Sequence, residues 1–385
     1  MIVFMKPAPS HSNMCFVLSH PSPDVKVYLV KRRLEYTITQ DKGQIRFTIC
    51  LFYVHRVQCR LMKATLDSLV VYDVREERMP PAYLELCHRG ELASRIERAY
   101  ALLESCTLCP RECGVNRLAG QEGFCRAGHE PKVASWNVHP WEEPPISGSR
   151  GSGTIFFSGC TGRCLFCQNY PISQLGVGNV VPVGRLAAMM LELQAQGCHN
   201  INLVTPTHFV PQILAALSQA IKGGLRLPLV YNSSGYETVE VLRLLDGVVD
   251  IWLPDAKYAD DGIARRLSGF PHYVEHNRAA LWEMHRQVGD ELVLDEGGLA
   301  RRGMIVRHLV LPEGLAGTGE VLNWIATALS PRVHVSLMDQ YFPAHRAVGH
   351  AVLGRRITPE EYEEALRAFE AAGLVNGWRQ EHEGC

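Results

Sequence analysis

The residues most able to do chemistry are three cysteines in FFSGCTGRCLFCQN: Cys160, Cys164 and Cys167, spaced CxxxCxxC. Thiolates ligate iron–sulfur clusters, four as a rule for a 4Fe–4S cube. Three cysteines with no evident fourth nearby leave one iron open, and an open iron can take the amino and carboxylate groups of a small molecule. Structural zinc fits less well, because it asks for four protein ligands in a closed site and favours CxxC pairs. A second group, Cys106, Cys109, Cys113 and Cys125, has four thiols and suits either a second 4Fe–4S cluster or zinc. It would staple a loop-rich segment, relay electrons or bind substrate. Seven of the 13 cysteines lie in these two groups, and the other six are isolated. The first residues, MIVFMKPAPS, are no secretory signal, so clustered cysteines read as metal ligands in a reducing, cytoplasmic setting.

These groups need elements to position them. After Gly153, short β-branched runs alternate with amphipathic stretches, the pattern of repeated βα units. Strands are expected at 154–158, 200–204, 228–231, 248–253, 304–311 and 333–337. Helices are expected at 184–196, 211–221, 239–245, 278–288 and 320–329. Six parallel strands with crossover helices predict an α/β fold, a partial (β/α)6 TIM-like barrel, with an open doubly wound sheet as the alternative. The cysteine triplet then sits directly after the first strand, at the C-terminal mouth where barrel enzymes build their sites. Near the C-terminus, Thr358, Pro359, Glu361 and Gly373 predict a capped and terminated helix.

Four segments follow. Residues 1–78 carry 12 Lys or Arg against 7 Asp or Glu and show no sustained helical period or clear strand–turn punctuation. They read as a non-native or disordered extension, with translation starting near Met79, or else as a small accessory domain. Residues 79–150 are a helix plus the Cys-rich metal-binding segment, 151–345 the barrel, and 346–385 a C-terminal helical segment. Gly148–Gly153 (GSRGSG) precedes its strand and lacks the Lys-Ser/Thr of a phosphate loop, so it reads as flexible backbone. The 385-residue chain is 46% hydrophobic and 21% charged with formal net charge −1. That composition is globular, and the charge argues against nucleic acid as a partner. No apolar run reaches the roughly 18–20 residues of a membrane helix.

The chain from about Met79 to Gln380 resembles the radical S-adenosylmethionine (SAM) superfamily, and within it proteins related to the pyruvate formate-lyase activating enzyme. CTLCPRECGVNR, EEPPISGSRGSGTIFFSGC, NLVTPTHFVPQI, YNSSGYE, VVDIWLPDAKY and VRHLVLP carry the likeness. The resemblance implies an oxidoreductase with a 4Fe–4S cluster and SAM as cofactors, a reductant such as flavodoxin or ferredoxin, and hydrogen abstraction from a substrate. That substrate is a protein if the chain is an activase, and otherwise a small molecule, peptide or nucleic acid. A non-catalytic electron-transfer protein is a third reading. Phe166, just before the third cysteine, supplies an aromatic face to pack near an adenine, and the resemblance adds further SAM contacts. Asn232 and Ser234, Asp255 and Lys257, Arg307, and His345 after Pro343 would contact SAM, with Arg307 on its carboxylate. Where relatives carry a GGEP-like stretch, this chain has Thr205-Pro206-Thr207-His208, with no carboxylate. Thr205 or Thr207 would take that contact. His208 is a candidate for proton transfer or a histidine that fills the barrel mouth.

Overall fold

The computed structural model describes residues 35–41, 44–50 and 79–379. The chain divides into two units, Met1–Val74 and Arg75–Cys385. In the first, β1 (Glu35–Asp41) pairs antiparallel with β2 (Gln44–Cys50), from Glu35 opposite Cys50 to Asp41 opposite Gln44. The expectation of no strand punctuation overlooked this hairpin. Tyr36 and Ile38, then Ile45, Phe47 and Ile49, alternate with polar residues around an Asp-Lys-Gly turn sequence. The rest of the expected 1–78 extension lies outside the described residues.

The second unit opens with α1 (Ala82–His88) and α2 (Glu91–Ala101), then β3 (Lys132–His139) and α3 (Pro144–Ser147). The barrel strands are β4 (Ser152–Phe157), β6 (Ile201–Val204), β7 (Leu229–Ser233), β8 (Ile251–Pro254), β10 (Ala300–Leu309) and β11 (His334–Met338). Between them run α4 (Tyr170–Ser173), β5 (Asn179–Val180), α5 (Val183–Ala195), α6 (Val210–Lys222), α7 (Val239–Leu244), α8 (Asp261–Ser268), α9 (Tyr273–Val288), β9 (Val293–Leu294) and α10 (Thr318–Trp324). α11 (Pro359–Ala371) and β12 (Gly377–Arg379) follow. The sheet order is β12-β11-β10-β8-β7-β6-β4-β3-β5, and β4 through β12 are mutually parallel along it. The six expected strands are all present in this partial barrel. β3 and β5 add an antiparallel flank beside β4.

Side chains on successive strand residues point to opposite faces, and the core splits accordingly. Ile155, Leu203, Tyr231, Trp252 and Val306 join the helices in one cluster, including Leu186, Met190 and Leu193 of α5. Val230, Ile251, Leu253 and Ile305 form a separate inner cluster with Ile146 of the α3 turn. Each fully buried Leu or Ile contributes about 1.5–3 kcal/mol, so the lower lumen is a packed plug. One register step toward the strand C-termini, the same inner face turns polar, with Asn232, Asp255 and Arg307. The Thr358–Glu361 capping box holds α11 as expected, whereas α8 had no forecast. Its apolar positions are few, and Asp260 and Gly269 cap it instead. Among the described residues no helix is long and apolar enough to cross a membrane.

Candidate functional site

The loop after β4 is held from three sides. Arg163 N and Leu165 N donate to Ser268 O and Leu267 O at the end of α8, both at 2.8 Å. Ala347 N donates to Leu165 O at 3.0 Å. Arg163 returns to Cys160 O and Gly162 O, each at 2.9 Å, and Gln174 Nε2 donates to Cys164 O at 2.9 Å. Two glycines are required here. A Cβ at Gly159, which has φ +84°, would clash with the carbonyl oxygen of Cys125, and one at Gly162 would meet the Phe270 ring.

The three thiols lie within electrostatic range of one another. Burial pushes Cys160 up to about 12, with Cys164 and Cys167 adding to the shift. Burial also raises Cys164, against the pull of nearby Lys257. Gly162 N reaches Cys160 Sγ at 3.3 Å, and Cys167 Sγ lies 3.2 Å from Ser173 Oγ. Among the described residues no three Cys, His, Asp or Glu side chains are gathered so that they could hold a metal ion as they stand.

The residues expected after later strands converge on the lumen. Arg307 Nε donates to Asp255 Oδ1 at 3.0 Å and its NH2 group to Asn232 Oδ1 at 2.7 Å. Lys257 Nζ donates to Asp255 Oδ2 at 2.5 Å. Burial pushes the Asp255 carboxyl up, but Arg307 and Lys257 together outweigh it and hold it below the usual range. Both cations are in turn held above their ordinary values, against burial, by Asp255. The Asn232–Gly235 turn closes on this layer, because a Cβ on Gly235 would clash with Asn277 and with Asp255 O. Ser234 lies in that turn, and its carbonyl accepts from Tyr273 at 2.9 Å.

Phe166 is 7% exposed and meets Tyr341 edge-on at 5.6 Å, within the strand–helix core. His345 stacks on Tyr170 at 4.6 Å, beside the cysteine loop. Thr207 is buried, and its hydroxyl donates to Glu237 at 2.7 Å, which fixes its proton on Glu237 and leaves only its acceptor lone pairs. Thr205 takes a left-handed φ of 57°.

The Cys-rich segment covers the same loop. Cys106, Cys109, Cys113 and Cys125 line one small cavity with Arg111, Arg117 and His208. Burial raises the Cys109 and Cys125 thiols. Arg111 donates to Thr161 O at 2.6 Å and Gly269 O at 2.5 Å, and Arg163 donates to Phe124 O. Both guanidinium groups lie over the Phe124 ring, at 3.4 and 4.3 Å. His208 is 1% exposed. Its Nε2 bonds Ser158 O at 2.8 Å, which makes Nε2 the protonated nitrogen, and Nδ1 has no partner. Burial pushes its pKa down to about 3, so the ring is neutral.

Sequence reasoning missed Glu142 and Glu143. Glu142 Oε2 lies 3.8 Å from Arg307 NH1, and its side chain is 9% exposed. Burial pushes it up to about 7, Arg307 opposes this, and Glu143 adds to it. The available signal was two adjacent acids before Pro-Pro in a segment that also carries a strand.

Residues 154–289 match the radical SAM superfamily. An uncharacterized protein of Methanocaldococcus jannaschii is 33% identical over 323 residues, 82% of this chain and 86% of the relative. Solved structures of lower similarity include methylornithine synthase (14% identity, 58% of this chain and 63% of that one, TM-score 0.40). Another is the FeFe-hydrogenase maturase HydG from Carboxydothermus hydrogenoformans (13% identity, 78% and 70%, TM-score 0.40). The superfamily uses a 4Fe–4S cluster and SAM. With its partial barrel, its match across the first half of that barrel and its archaeal relative, the chain belongs to the radical SAM superfamily.

Proposed function

We propose that this chain is a radical SAM enzyme that abstracts hydrogen from a substrate, with the cluster on Cys160, Cys164 and Cys167. The donor set fits. Three thiols share one loop, each raising the cost of ionising another, and a cationic metal centre relieves that repulsion. A cluster also spaces its ligands more widely than one ion does. When bound, the cluster and SAM supply one-electron cleavage of a carbon–sulfur bond and a 5′-deoxyadenosyl radical for hydrogen abstraction.

The chain's own residues position and exclude. The backbone bonds from α8 and from Ala347 keep the loop from rearranging. Arg307, fixed by Asp255 and Asn232, offers a guanidinium to a carboxylate at the lumen mouth, and Lys257 places a positive charge beside Cys164. The observation that carries the reading is this joining of the cysteine loop to a buried Asp255–Lys257–Arg307 layer. An electron-transfer protein has no use for such a layer. Activation of a protein partner rests on the motif likeness to the pyruvate formate-lyase activating enzyme. The polar layer of Asn232, Asp255 and Arg307 above the apolar plug favours a substrate group small enough to reach it. Cys106, Cys109, Cys113 and Cys125 are proposed to hold a second metal centre, a 4Fe–4S cluster or zinc. The reductant in this reading is a flavodoxin or ferredoxin.

The test is anaerobic reconstitution of the full chain, with iron, sulfide and zinc assays, followed by dithionite and SAM. The expected product is 5′-deoxyadenosine from the wild type and none from Cys164→Ala, which also loses about four irons per chain. A full cluster complement with no SAM cleavage, even with candidate substrates present, would overturn the catalytic reading. Iron beyond about four per chain that disappears in Cys109→Ser identifies a second cluster, and zinc lost in that variant identifies a structural site.

A further inference from the structure

The lumen contains buried polar atoms with no well-formed hydrogen bond in the protein. Asn202 on β6 is fully buried, and neither its Oδ1 nor its Nδ2 makes a hydrogen bond. Strand alternation turns Asn202 inward, since its neighbours Ile201 and Leu203 belong to the outer core. Glu143 Oε2 is likewise buried without a partner. Asn202 lies close enough to Glu142 to act on its carboxyl, and the Glu142 and Glu143 carboxyls face each other.

The pair is held in place. Glu142 N donates to Ser147 Oγ at 2.8 Å, and Glu143 O accepts from Ile146 N and Ser147 N at 2.8 and 3.0 Å. Ile146 anchors this turn in the inner apolar cluster. Arg307 does not neutralise both acids. Its Nε and NH2 groups serve Asp255 and Asn232, NH1 stands 3.8 Å from Glu142, beyond hydrogen-bond range, and its one charge is shared among Asp255, Glu143 and Glu142. Lys257 is taken by Asp255.

We infer that Glu142, Glu143 and Asn202 form a head-group pocket for a substrate bearing a basic nitrogen, an ammonium or guanidinium group. The vacant positions are mostly acceptors: Glu143 Oε2 and the Asn202 amide oxygen, beside the Glu142 carboxyl that Arg307 faces. An anion would be repelled there. An apolar group would leave buried charge unpaired, which is among the most costly arrangements in a protein interior. A cation with several N–H groups satisfies the acceptors, while Asn202 Nδ2 is a donor directed at the Glu142 carboxyl, with Arg307 above left for a carboxylate. This inference rests on the proposed function, because it names the substrate class for that site.

The test uses the reconstituted full chain in anaerobic calorimetry at pH 8, without dithionite, so that no turnover occurs. The probes are putrescine and agmatine, against uncharged 1,4-butanediol. Both cations are expected to bind and the diol is not. Glu143→Gln, which keeps the shape, is expected to weaken cation binding at least about tenfold while its melting temperature stays at or above that of the wild type. Equal binding of the diol, unchanged binding in Glu143→Gln, or no binding of either cation at about 10 mM overturns the inference and leaves water as the partner of these groups. SAM cleavage in the wild type without cation binding leaves the enzyme reading standing and removes the substrate class. Cation binding without SAM cleavage does the reverse.

Discussion

Asp255 holds two cations at once, and it is 8% exposed. Asp255→Asn would leave the buried charges of Arg307 and Lys257 facing each other with only an amide between them. Loss of one member of a buried network costs about 3–5 kcal/mol, and the expected readout is a lower denaturation midpoint at pH 7. The wild type should lose the same contribution in acid. The folded Asp255 pKa lies below its unfolded value, so its stabilisation is complete above about pH 4 and fades as pH falls through the folded value. The candidate residues Asn232, Asp255 and Arg307 could each be placed in or just after a strand, because each belongs to or follows a recognisable β run. Their mutual contacts were not, since Asp255, Arg307 and Asn232 meet only through strand register. Glu142 was invisible for the same reason: it comes 165 positions before Arg307 in the chain and touches it only once the barrel has curved.

At the scale of elements, the cysteine loop and the Cys-rich segment behave as one packed body. Gly159 is where they press together. Gly159→Ala forces a Cβ into the Cys125 carbonyl and also strains a positive φ. Gly120 offers a matched control, with φ +80° and open space around the position of a Cβ. Gly120→Ala is expected to cost about 1 kcal/mol from backbone strain alone. Gly159→Ala should cost clearly more and lower the melting temperature further. Equal losses in the two variants would mean that the close approach is not rigid. The two cysteine groups were each evident from spacing. That they pack against each other was not, because the 34 residues between Cys125 and Cys160 carry a strand whose antiparallel pairing with β4 folds them back.

Across the whole molecule, buried carboxyls and buried histidines pull the pH profile in opposite directions. Burial pushes Glu237 and Asp250 each up to about 7, despite hydrogen bonds from Thr207 to the first and from Ala82 N and Leu229 N to the second. Such groups bind protons more tightly when folded, so stability falls as pH rises from their unfolded values to about 7 and is flat above. Burial pushes His208 and His308 down to about 3 and 4. These bind protons more tightly when unfolded, so stability falls as pH drops below about 6.5. The two trends offset each other in the wild type, and the contrast lies in a subtraction. Glu237→Gln is expected to gain on the wild type between pH 5.5 and pH 8, on the order of 2 kcal/mol, read as a growing difference in melting temperature. No change in that difference would show that Glu237 is ionised and paired at both pH values.

By itself the sequence determined the alternation of strand and helix, the place of Cys160, Cys164 and Cys167 just past the first barrel strand, and the capped C-terminal helix. Each depends on residues within one or two turns of one another: the period of apolar residues, the spacing of thiols in a loop, and a Thr–Glu pair at a helix start. Only the tertiary structure decided that α8 supports the cysteine loop, that the Cys-rich segment lies over it, that Thr207 belongs to Glu237, and that two acids before α3 face Arg307. Those contacts join residues 30 to 165 positions apart. Their formation depends on strand register and barrel closure, which no local pattern encodes.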